Sequence, residues 1–358
     1  MKKIGVVGGG LLGRLTCWRL LLAGCEVSLF EAGSLSVCPG AARTAAAMLS
    51  PLSEVVDSER LIYDMGMAGL RLWPKWNQQL QQPITYTERG SLVVAHTLDA
   101  SQLTQFAAKL HHHLGSQGDY DWLDQVQIAA LEPDLSHYQR ALLLRTEAHL
   151  DNHALLDQLL ADIQTLGGHT HEFTPVQQVQ PHAVHTQQKQ FAFDEVIDCR
   201  GVGAKADLSD LRGVRGEVLW VHTREVQLQR PVRFMHPRYK LYVVPKPGQH
   251  FIIGATEIES EDRSPISLRS NLELSSALYA LNPAFAEARI TTTDVNLRPA
   301  LMDNLPRIER QPGLVRANGL YRHGYLLAPA VVEALTAEVL QQQPSLFSSQ
   351  IMHHRKLC

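Results

Sequence analysis

The stretch of sequence that decides the fold is residues 3–13, which read Lys-Ile-Gly-Val-Val-Gly-Gly-Gly-Leu-Leu-Gly. The run from Lys3 to Val7 is apolar, as in a buried parallel strand. Apolar residues from Leu11 to Ala23 recur at helical spacing, and Gly24 is a suitable helix stop. Because a second strand pattern follows from Glu26 to Phe30, this part of the chain predicts a complete strand–helix–strand unit.

Three glycines in the turn of this unit, Gly8, Gly10 and Gly13, follow the Gly-x-Gly-x-x-Gly pattern. The first allows the tight turn, the second lets the backbone approach a pyrophosphate, and the third allows the helix to pack closely on the strand. Leu11 and Leu12 begin the helix, whose free N–H groups and positive dipole end would face the pyrophosphate. In this context the pattern predicts a dinucleotide-binding site.

The acidic residue at the end of the second strand narrows the choice of dinucleotide. Glu31 lies 21 positions after Gly10, where a carboxylate can accept hydrogen bonds from the ribose hydroxyls. An acidic residue at this position disfavours a 2′-phosphate and hence NADP. FAD and NAD are both compatible with these residues.

Composition and charge are those of an ordinary globular protein. The chain has 358 residues, of which 45% are hydrophobic and 19% are charged, and this length predicts two domains. A net charge of −3 gives no reason to expect nucleic acid or an anionic membrane as a partner. The apolar stretches are too short to span a bilayer, and no signal peptide is visible. We therefore expect a cytoplasmic protein without membrane insertion.

The cysteine and histidine patterns do not predict a metal site. The five cysteines are scattered and include no Cys-x-x-Cys pair, which argues against a disulfide framework and against zinc. Adjacent histidines occur at 111–113 and at 353–354. Because neighbouring side chains of a helix point in different directions, these runs are not expected to converge on one ion.

Periodicity along the rest of the chain predicts alternating helices and strands, and hence an α/β fold. The start, middle and end of the chain would build a Rossmann-like domain around a parallel sheet. A second, mainly antiparallel α+β domain would be inserted in two pieces. We also expect a break or kink of a helix at Pro74, a hairpin around Gly90 and a C-terminal helix that starts near Pro329.

Outside the glycine turn, seven segments carry more specific motifs. They are Ala-Ala-Arg-Thr-Ala-Ala-Ala-Met-Leu-Ser-Pro at 41–51, with Glu54 behind it; Val-Arg-Gly-Glu at 214–217; Tyr-Val-Val-Pro-Lys at 242–246; Gly-Ala-Thr-Glu at 254–257; Leu-Arg-Pro at 297–299; Asp-Asn-Leu-Pro at 303–306; and Gly-Leu-Tyr-Arg-His-Gly-Tyr-Leu-Leu-Ala-Pro at 319–329. In order and content they resemble the D-amino acid oxidase-like FAD-dependent oxidoreductases, and among these the glycine oxidases of thiamine biosynthesis. The resemblance extends over nearly the whole chain.

The resemblance implies an FAD-binding domain formed by residues 1–82, 149–215 and 299–358. It implies a substrate-binding domain formed by residues 83–148 and 216–298. We expect this second domain to supply the mainly antiparallel sheet.

The resemblance also implies FAD rather than NAD as the cofactor. Because no cysteine lies between Cys199 and Cys358, we expect the FAD to be bound non-covalently. The residues expected to contact it are Gly8, Gly10, Leu11, Leu12, Gly13, Glu31, Arg43, Thr44, Ala45, Ala46, Ala47, Met48, Leu49, Val176, Gly201, Arg322, His323, Gly324, Tyr325, Leu326 and Leu327.

Three residues are candidates for the substrate end of the site. An amino-acid carboxylate needs a planar cation, and Arg298 can supply a bidentate pair, while Tyr242 can add a hydroxyl donor. By resemblance these two form the carboxylate clamp, and Arg322 lies beside the flavin with its backbone toward the amino group. Each also has another interpretation: Arg298 as an ion-pair partner at the surface or between domains, Tyr242 as core packing, and Arg322 as a brace for its loop.

Two residues depart from the family pattern. Ala47 occupies a place where the family segment commonly has glycine, so the approach of the backbone to the flavin can differ. Glu257 lies where a glycine oxidase pocket can have an apolar residue. If Glu257 faces the substrate, a larger or cationic amine would be favoured.

The resemblance implies an enzyme that oxidises glycine or another small amine to an imine, which is hydrolysed to an oxoacid. Oxygen would accept the electrons and give H2O2, and the imine of glycine would feed thiazole synthesis in the thiamine pathway. Two alternatives are a D-amino acid or secondary-amine dehydrogenase with another acceptor, and a catalytically silent FAD-binding sensor or partner protein. A homo-oligomer is compatible with the resemblance.

Overall fold

The computed structural model describes residues 1–115, 118–236 and 240–354. In chain order its strands are β1 Lys3–Val7, β2 Glu26–Phe30, β3 Met48–Leu49, β4 Tyr86–Thr87, β5 Ser91–Val94, β6 Tyr120–Asp124, β7 Arg140–Leu144, β8 Ala148–Leu150, β9 His169–His171, β10 Val176–Gln180, β11 Ala183–Thr186, β12 Gln190–Ala192, β13 Glu195–Asp198, β14 Arg212–His222, β15 Val232–Met235, β16 Lys240–Lys246, β17 His250–Gly254, β18 Arg289–Ala300, β19 Arg307–Gln311, β20 Leu314–Asn318 and β21 Met352–His354. Its α-helices are α1 Leu11–Leu22, α2 Ala41–Thr44, α3 Pro51–Val55, α4 Arg60–Gln79, α5 Ala100–Leu114, α6 Gln125–Leu131, α7 Asn152–Thr165, α8 Leu268–Leu281, α9 Gly324–Val339 and α10 Ser348–Ile351.

The first large sheet contains the predicted nucleotide-binding unit. Its strand order is β21-β19-β20-β13-β1-β2-β9. Strands β1, β2, β9, β13 and β20 run parallel to their neighbours within this group, and β19 is antiparallel to β20. The apolar run at the start of the chain therefore forms a central strand, on which α1 packs, while α9 packs on α1 and on β20. This confirms the predicted Rossmann-like part of the fold.

The second large sheet is mainly antiparallel, as expected. Its strand order is β18-β14-β17-β16-β15-β5-β7-β6, and within it only the β15–β5 pair is parallel among the described residues. The two long strands β14 and β18 pair along almost their whole length. The predicted domain boundaries at 215–216 and at 298–299 fall inside these two strands.

Three local features differ from the expectations. The expected break at Pro74 is absent, because helix α4 continues through this residue. The neighbouring Trp73 is buried and donates its indole N–H to the Tyr325 carbonyl at 2.9 Å. Gly90 does not form a hairpin, because β4 pairs with β8 in a small sheet while β5 pairs with β7 and β15 in the large one. Helix α9 begins at Gly324 and not near Pro329.

Close packing of α4 on α9 fixes the start of α9. A Cβ atom at Gly69 would lie 2.3 Å from the carbonyl oxygen of Leu326, so only glycine allows this approach. The early turns of α9 are held there, next to the ends of the strands. No helix among the described residues is long and apolar enough to cross a membrane.

Candidate active site

A large cavity runs between the two large sheets and has a volume of about 930 Å³. This lies at the upper end of the range for small-molecule and cofactor sites. The walls come from the glycine turn, the alanine-rich segment, the strand β16 and the loop before α9. Segments far apart in the sequence, most of them predicted as site segments, therefore meet in one cavity.

At Gly8, Gly10 and Gly13 of the amino-terminal turn, a different feature of the geometry accounts for the presence of glycine. Gly8 has a φ of +106°, and a Cβ atom there would lie 2.6 Å from the Cys199 carbonyl oxygen. A Cβ atom at Gly13 would lie 1.8 Å from the Gly8 carbonyl oxygen, so the helix can pack on the turn only with glycine. Gly10 faces open space and is the N-cap of α1 without a side-chain cap. The N–H groups at this helix end are thus available to a phosphate.

Glu31 is fixed at the wall of the cavity by the backbone around it. Its carboxylate accepts hydrogen bonds from the Gly9 N–H at 2.7 Å and the Gly33 N–H at 3.0 Å. A carboxylate offers about four lone-pair positions, so it retains acceptor capacity for ribose hydroxyls.

The alanine-rich segment is held by side chains that donate to its carbonyl groups. Tyr325 donates its hydroxyl to the Ala42 carbonyl at 2.9 Å, and Asn152 donates to the Arg43 carbonyl at 2.8 Å. Ala47 has a φ of +54°, in the left-handed region that favours glycine. The backbone turn is therefore present although the residue is alanine.

Arg298 lies on β18 and lines the cavity. It donates to the Arg215 carbonyl at 3.3 Å and to the Thr256 carbonyl at 3.0 Å. Among the described residues no carboxylate forms an ion pair with it. A Cβ atom at Gly216 would lie 2.5 Å from its guanidinium, so this glycine makes room for the side chain. The cavity thus contains a guanidinium whose charge is left for a ligand.

Tyr242 lines the same part of the cavity. Burial raises the pKa of its hydroxyl, although the nearby guanidinium groups of Arg298 and Arg233 act in the opposite direction. The phenol therefore stays protonated at neutral pH and can donate a hydrogen bond. Its position beside Arg298 fits the predicted pair of carboxylate donors.

Arg322 has a different environment, because two carboxylates hold its side chain. Its Nε lies 3.0 Å from Glu54 and its Nη1 lies 3.1 Å from Glu257. Arg233 donates to the other oxygen of Glu54 at 2.6 Å. The Arg322 side chain is thus neutralised and held in place, as in the interpretation of a brace for its loop. The expectation that its backbone faces an amino group stays a prediction.

Glu257 is also bound within the protein. Tyr321 donates its hydroxyl to Glu257 at 2.7 Å, and Arg322 donates to the second oxygen. Burial alone would raise the pKa of this carboxyl, but the Tyr321 hydrogen bond and the Arg322 charge lower it. Its negative charge is therefore compensated before any substrate binds.

The whole-chain comparisons agree with this arrangement. The model of the FAD-dependent oxidoreductase (DAO) family matches residues 3–338. A Rhizobium etli protein assigned as the thiamine biosynthesis oxidoreductase ThiO is 39% identical over 95% of this chain and 97% of its own length. The chain belongs to this family. The predicted resemblance is confirmed, and FAD is the cofactor of the family.

Two further relatives combine sequence and structural similarity. The glycine oxidase of Geobacillus kaustophilus is 26% identical over 96% of this chain and 94% of its own. Its crystal structure superposes with a TM-score of 0.85, at 24% identity and with full coverage of both chains. The iminodiacetate oxidase of Chelativorans gives a TM-score of 0.84 at 20% identity, covering 99% of this chain and 100% of its own. This chain therefore shares the fold of these two oxidases.

The structure places most of the predicted FAD contacts on the cavity wall. Those that line it are Gly8, Gly10, Leu11, Leu12, Glu31, Thr44, Ala45, Ala46, Ala47, Met48, Val176, Gly201, Arg322, His323, Gly324, Tyr325 and Leu326. Four others lie outside the lining. Gly13 packs on Gly8, the Arg43 side chain lies 3.1 Å from Asp157, and Leu49 and Leu327 are in the core. The open face of Gly10 and the free acceptor sites of Glu31 fit a bound FAD.

Sequence reasoning missed several charged groups around the cavity. Arg233 points into the site from β15. Arg14 is fully buried below the glycine turn and donates to the carbonyl groups of Gly9, Leu156 and Leu35. Lys246 is buried behind the alanine-rich segment. The described residues contain no cluster of three His, Cys, Asp or Glu side chains suited to a metal ion.

Glu54 provides a test of the charge network, which consists of Glu54, Glu257, Arg233 and Arg322. Burial alone would raise its pKa, but Arg233, with His323 and Arg322, lowers it from 4.5 to about 2. Because the folded-state pKa is lowered, its contribution to stability is full at neutral pH and declines as the pH falls from 4.5 toward 2. We expect Glu54→Gln to lower the free energy of unfolding by about 3 kcal/mol at pH ~7.

Urea unfolding at several pH values measures this effect. The matched control is Glu273→Gln, which removes an exposed ion pair with Arg269 within one helix and should cost less than about 1 kcal/mol. Equal losses for the two variants would show that the Glu54 network does not stabilise the fold.

Proposed function

We propose that this chain oxidises glycine or another small amino acid at its Cα–N bond, with oxygen as the electron acceptor. The observation that carries the proposal is Arg298, a cavity guanidinium that has carbonyl groups but no carboxylate as partners among the described residues. Such a group is suited to bind one carboxylate in a bidentate pair. The Tyr242 hydroxyl adds a second donor.

The protein contributes binding and orientation to this reaction. Arg298 and Tyr242 hold the substrate carboxylate, so the Cα–H bond takes one orientation relative to the cofactor. Bound FAD supplies the two-electron acceptor. The amine loses two electrons and two protons to become an imine, water converts the imine to an oxoacid and ammonia, and O2 takes up two electrons and two protons to give H2O2.

The substrate is proposed to be small because charged side chains line the cavity together with Arg298. Two of them, Glu257 and Arg322, form an ion pair at 3.1 Å. A large apolar side chain placed there would have to displace this pair without replacing its hydrogen bonds, which is costly.

A role in thiamine biosynthesis is supported by the relatives. The Rhizobium etli protein carries that pathway in its name. In Trichormus variabilis a bifunctional ThiO/ThiG protein is 26% identical over 96% of this chain, which matches 53% of the longer protein. We propose that the imine formed from glycine feeds thiazole synthesis.

Anaerobic bleaching of the bound flavin tests the reaction directly. We expect glycine, sarcosine or a small D-amino acid to bleach the oxidised flavin spectrum, and air to restore it with one H2O2 for each amine consumed. Bleaching without peroxide, but with reduction of a dye, would indicate a dehydrogenase instead. A flavoprotein that no amine of this set bleaches would contradict the proposed activity and favour a silent FAD-binding protein.

A further inference from the structure

Lys246 is a buried ammonium group that forms no salt bridge with the described residues. Only 8% of the residue is exposed. Its Nζ donates to the Ala46 carbonyl at 2.9 Å and to the Leu150 carbonyl at 2.8 Å. Burying a charge is costly unless its hydrogen bonds compensate. These two carbonyl groups are therefore the contacts that hold the ammonium in this position.

The location of Lys246 connects the large antiparallel sheet to the alanine-rich segment. Tyr242, Val244 and Lys246 alternate along β16 and so point to the same face of the sheet. Tyr242 lines the cavity on that face, and Val244 packs in one apolar cluster with Ala46 and Met48. The ammonium thus reaches the segment from behind, at the residues that form the cavity wall.

The hydrogen bond to Ala46 fixes the direction of one peptide group. The peptide between Ala46 and Ala47 is trans, so its C=O and N–H point in opposite directions. Since the carbonyl points to Lys246, the N–H of Ala47 points away from it, and both alanines line the cavity. This N–H has no acceptor among the described residues. A buried N–H of this kind needs a partner.

We propose that Lys246 is a positioning residue for FAD: it holds the Ala46 carbonyl and thereby directs the Ala47 N–H to an acceptor atom of the bound flavin. The positive charge also polarises this peptide group and strengthens the N–H as a donor. A donor of that kind stabilises negative charge on the reduced cofactor. The proposal rests on the proposed contact of this segment with FAD and is independent of which amine is oxidised.

The proton of Lys246 gives the proposal a pH dependence. Burial lowers the pKa of Lys246 from 10.5 to about 7, while Asp151 acts in the opposite direction. Two histidines face the same region: burial lowers the pKa of His149 to about 3 and also lowers that of His153. The charge of Arg43, beside His153, also lowers the pKa of that histidine. Among these groups Lys246 is therefore the one that titrates from neutral to mildly alkaline pH.

If bound FAD needs the ammonium form, the holoprotein holds this proton more tightly than the free protein does. The affinity for FAD then falls as the pH rises through about 7. By linkage we expect the dissociation constant to rise about tenfold between about pH 6.5 and about pH 8.5. Dilution of the holoprotein, followed by the return of free-flavin fluorescence, measures this constant without any substrate.

Substitutions separate the role of Lys246 from a general loss of structure. We expect Lys246→Met to weaken FAD binding about tenfold or more at about pH 6.5, to remove the pH dependence and to lower the midpoint potential of the flavin. Lys246→Gln keeps a neutral donor and should also lose the pH dependence. The control Lys75→Met changes an exposed lysine of α4 and should behave as the wild type in all three measurements.

A wild-type dissociation constant that is flat over this pH range would overturn the proposal, whether or not the variants fold. So would a Lys246→Met holoprotein with the pH profile and midpoint potential of the wild type. Failure of the amine oxidase proposal would appear instead as flavin that binds normally but is not bleached by amines.

Discussion

Arg298→Ala is expected to lower kcat/KM for glycine by about thirtyfold to a thousandfold, which corresponds to about 2–4 kcal/mol. The physical reason is that the substrate carboxylate would lose a bidentate cation inside a cavity where the neighbouring charges are already paired. Glu54 and Glu257 neutralise Arg322, and Glu54 also binds Arg233. None of these groups is therefore free to replace Arg298. The loss should appear mainly in KM, with FAD still bound.

Steady-state kinetics with oxygen consumption or peroxide detection measures this change. The matched control is Arg289→Ala, which removes another arginine of β18 that is 77% exposed and lies outside the cavity lining. It should leave kcat/KM within about twofold of the wild type, since exposed ion pairs contribute little. An Arg298→Ala enzyme with an unchanged KM would remove Arg298 from the carboxylate site.

The sequence predicted those parts of the site whose geometry depends on local residue types. Gly8 and Gly13 occupy positions that only glycine can take, and Gly10 leaves space for a ligand. The glycine pattern alone therefore predicts the geometry of this turn. The meeting of Tyr242 and Arg298 in one cavity could not be derived from spacing. It was expected only through the family resemblance.

The charge network could not be predicted because its partners are distant in the chain. Glu54 and Arg233 are separated by 179 positions, and nothing in the short strand β15 distinguishes an arginine that faces a cavity from one that faces water. Lys246, before a Pro-Gly turn, has the pattern of an exposed strand end. Its burial depends on the approach of the alanine-rich segment.

Tertiary packing also explains the wrong local expectations. Pro74 normally interrupts a helix because it removes a hydrogen bond, yet burial of α4 against α9 keeps the helix continuous. Around Gly90 the turn pattern led to the wrong expectation of a hairpin. The strand partners, however, come from β7, β8 and β15, and pairing of that kind is set by contacts far along the chain.

Gly10→Ala and Gly13→Ala are expected to damage the FAD site in two different ways. A methyl group at Gly10 meets no protein atom within 4 Å, and a φ of −74° suits alanine. The flavin-free protein should therefore unfold within about 1 kcal/mol of the wild type. FAD affinity should still fall at least about a hundredfold, because the methyl group occupies the space into which the pyrophosphate must come.

At Gly13 the same methyl group would lie 1.8 Å from the Gly8 carbonyl oxygen. The helix must then move away from the strand, so the free energy of unfolding of the flavin-free protein should itself fall by about 1–3 kcal/mol. Urea unfolding of the flavin-free proteins and FAD titration separate the two effects. A Gly10→Ala protein that binds FAD as tightly as the wild type would show that the pyrophosphate does not lie against the backbone at Gly10. Equal destabilisation by both substitutions would show that Gly10 serves packing and not the cofactor.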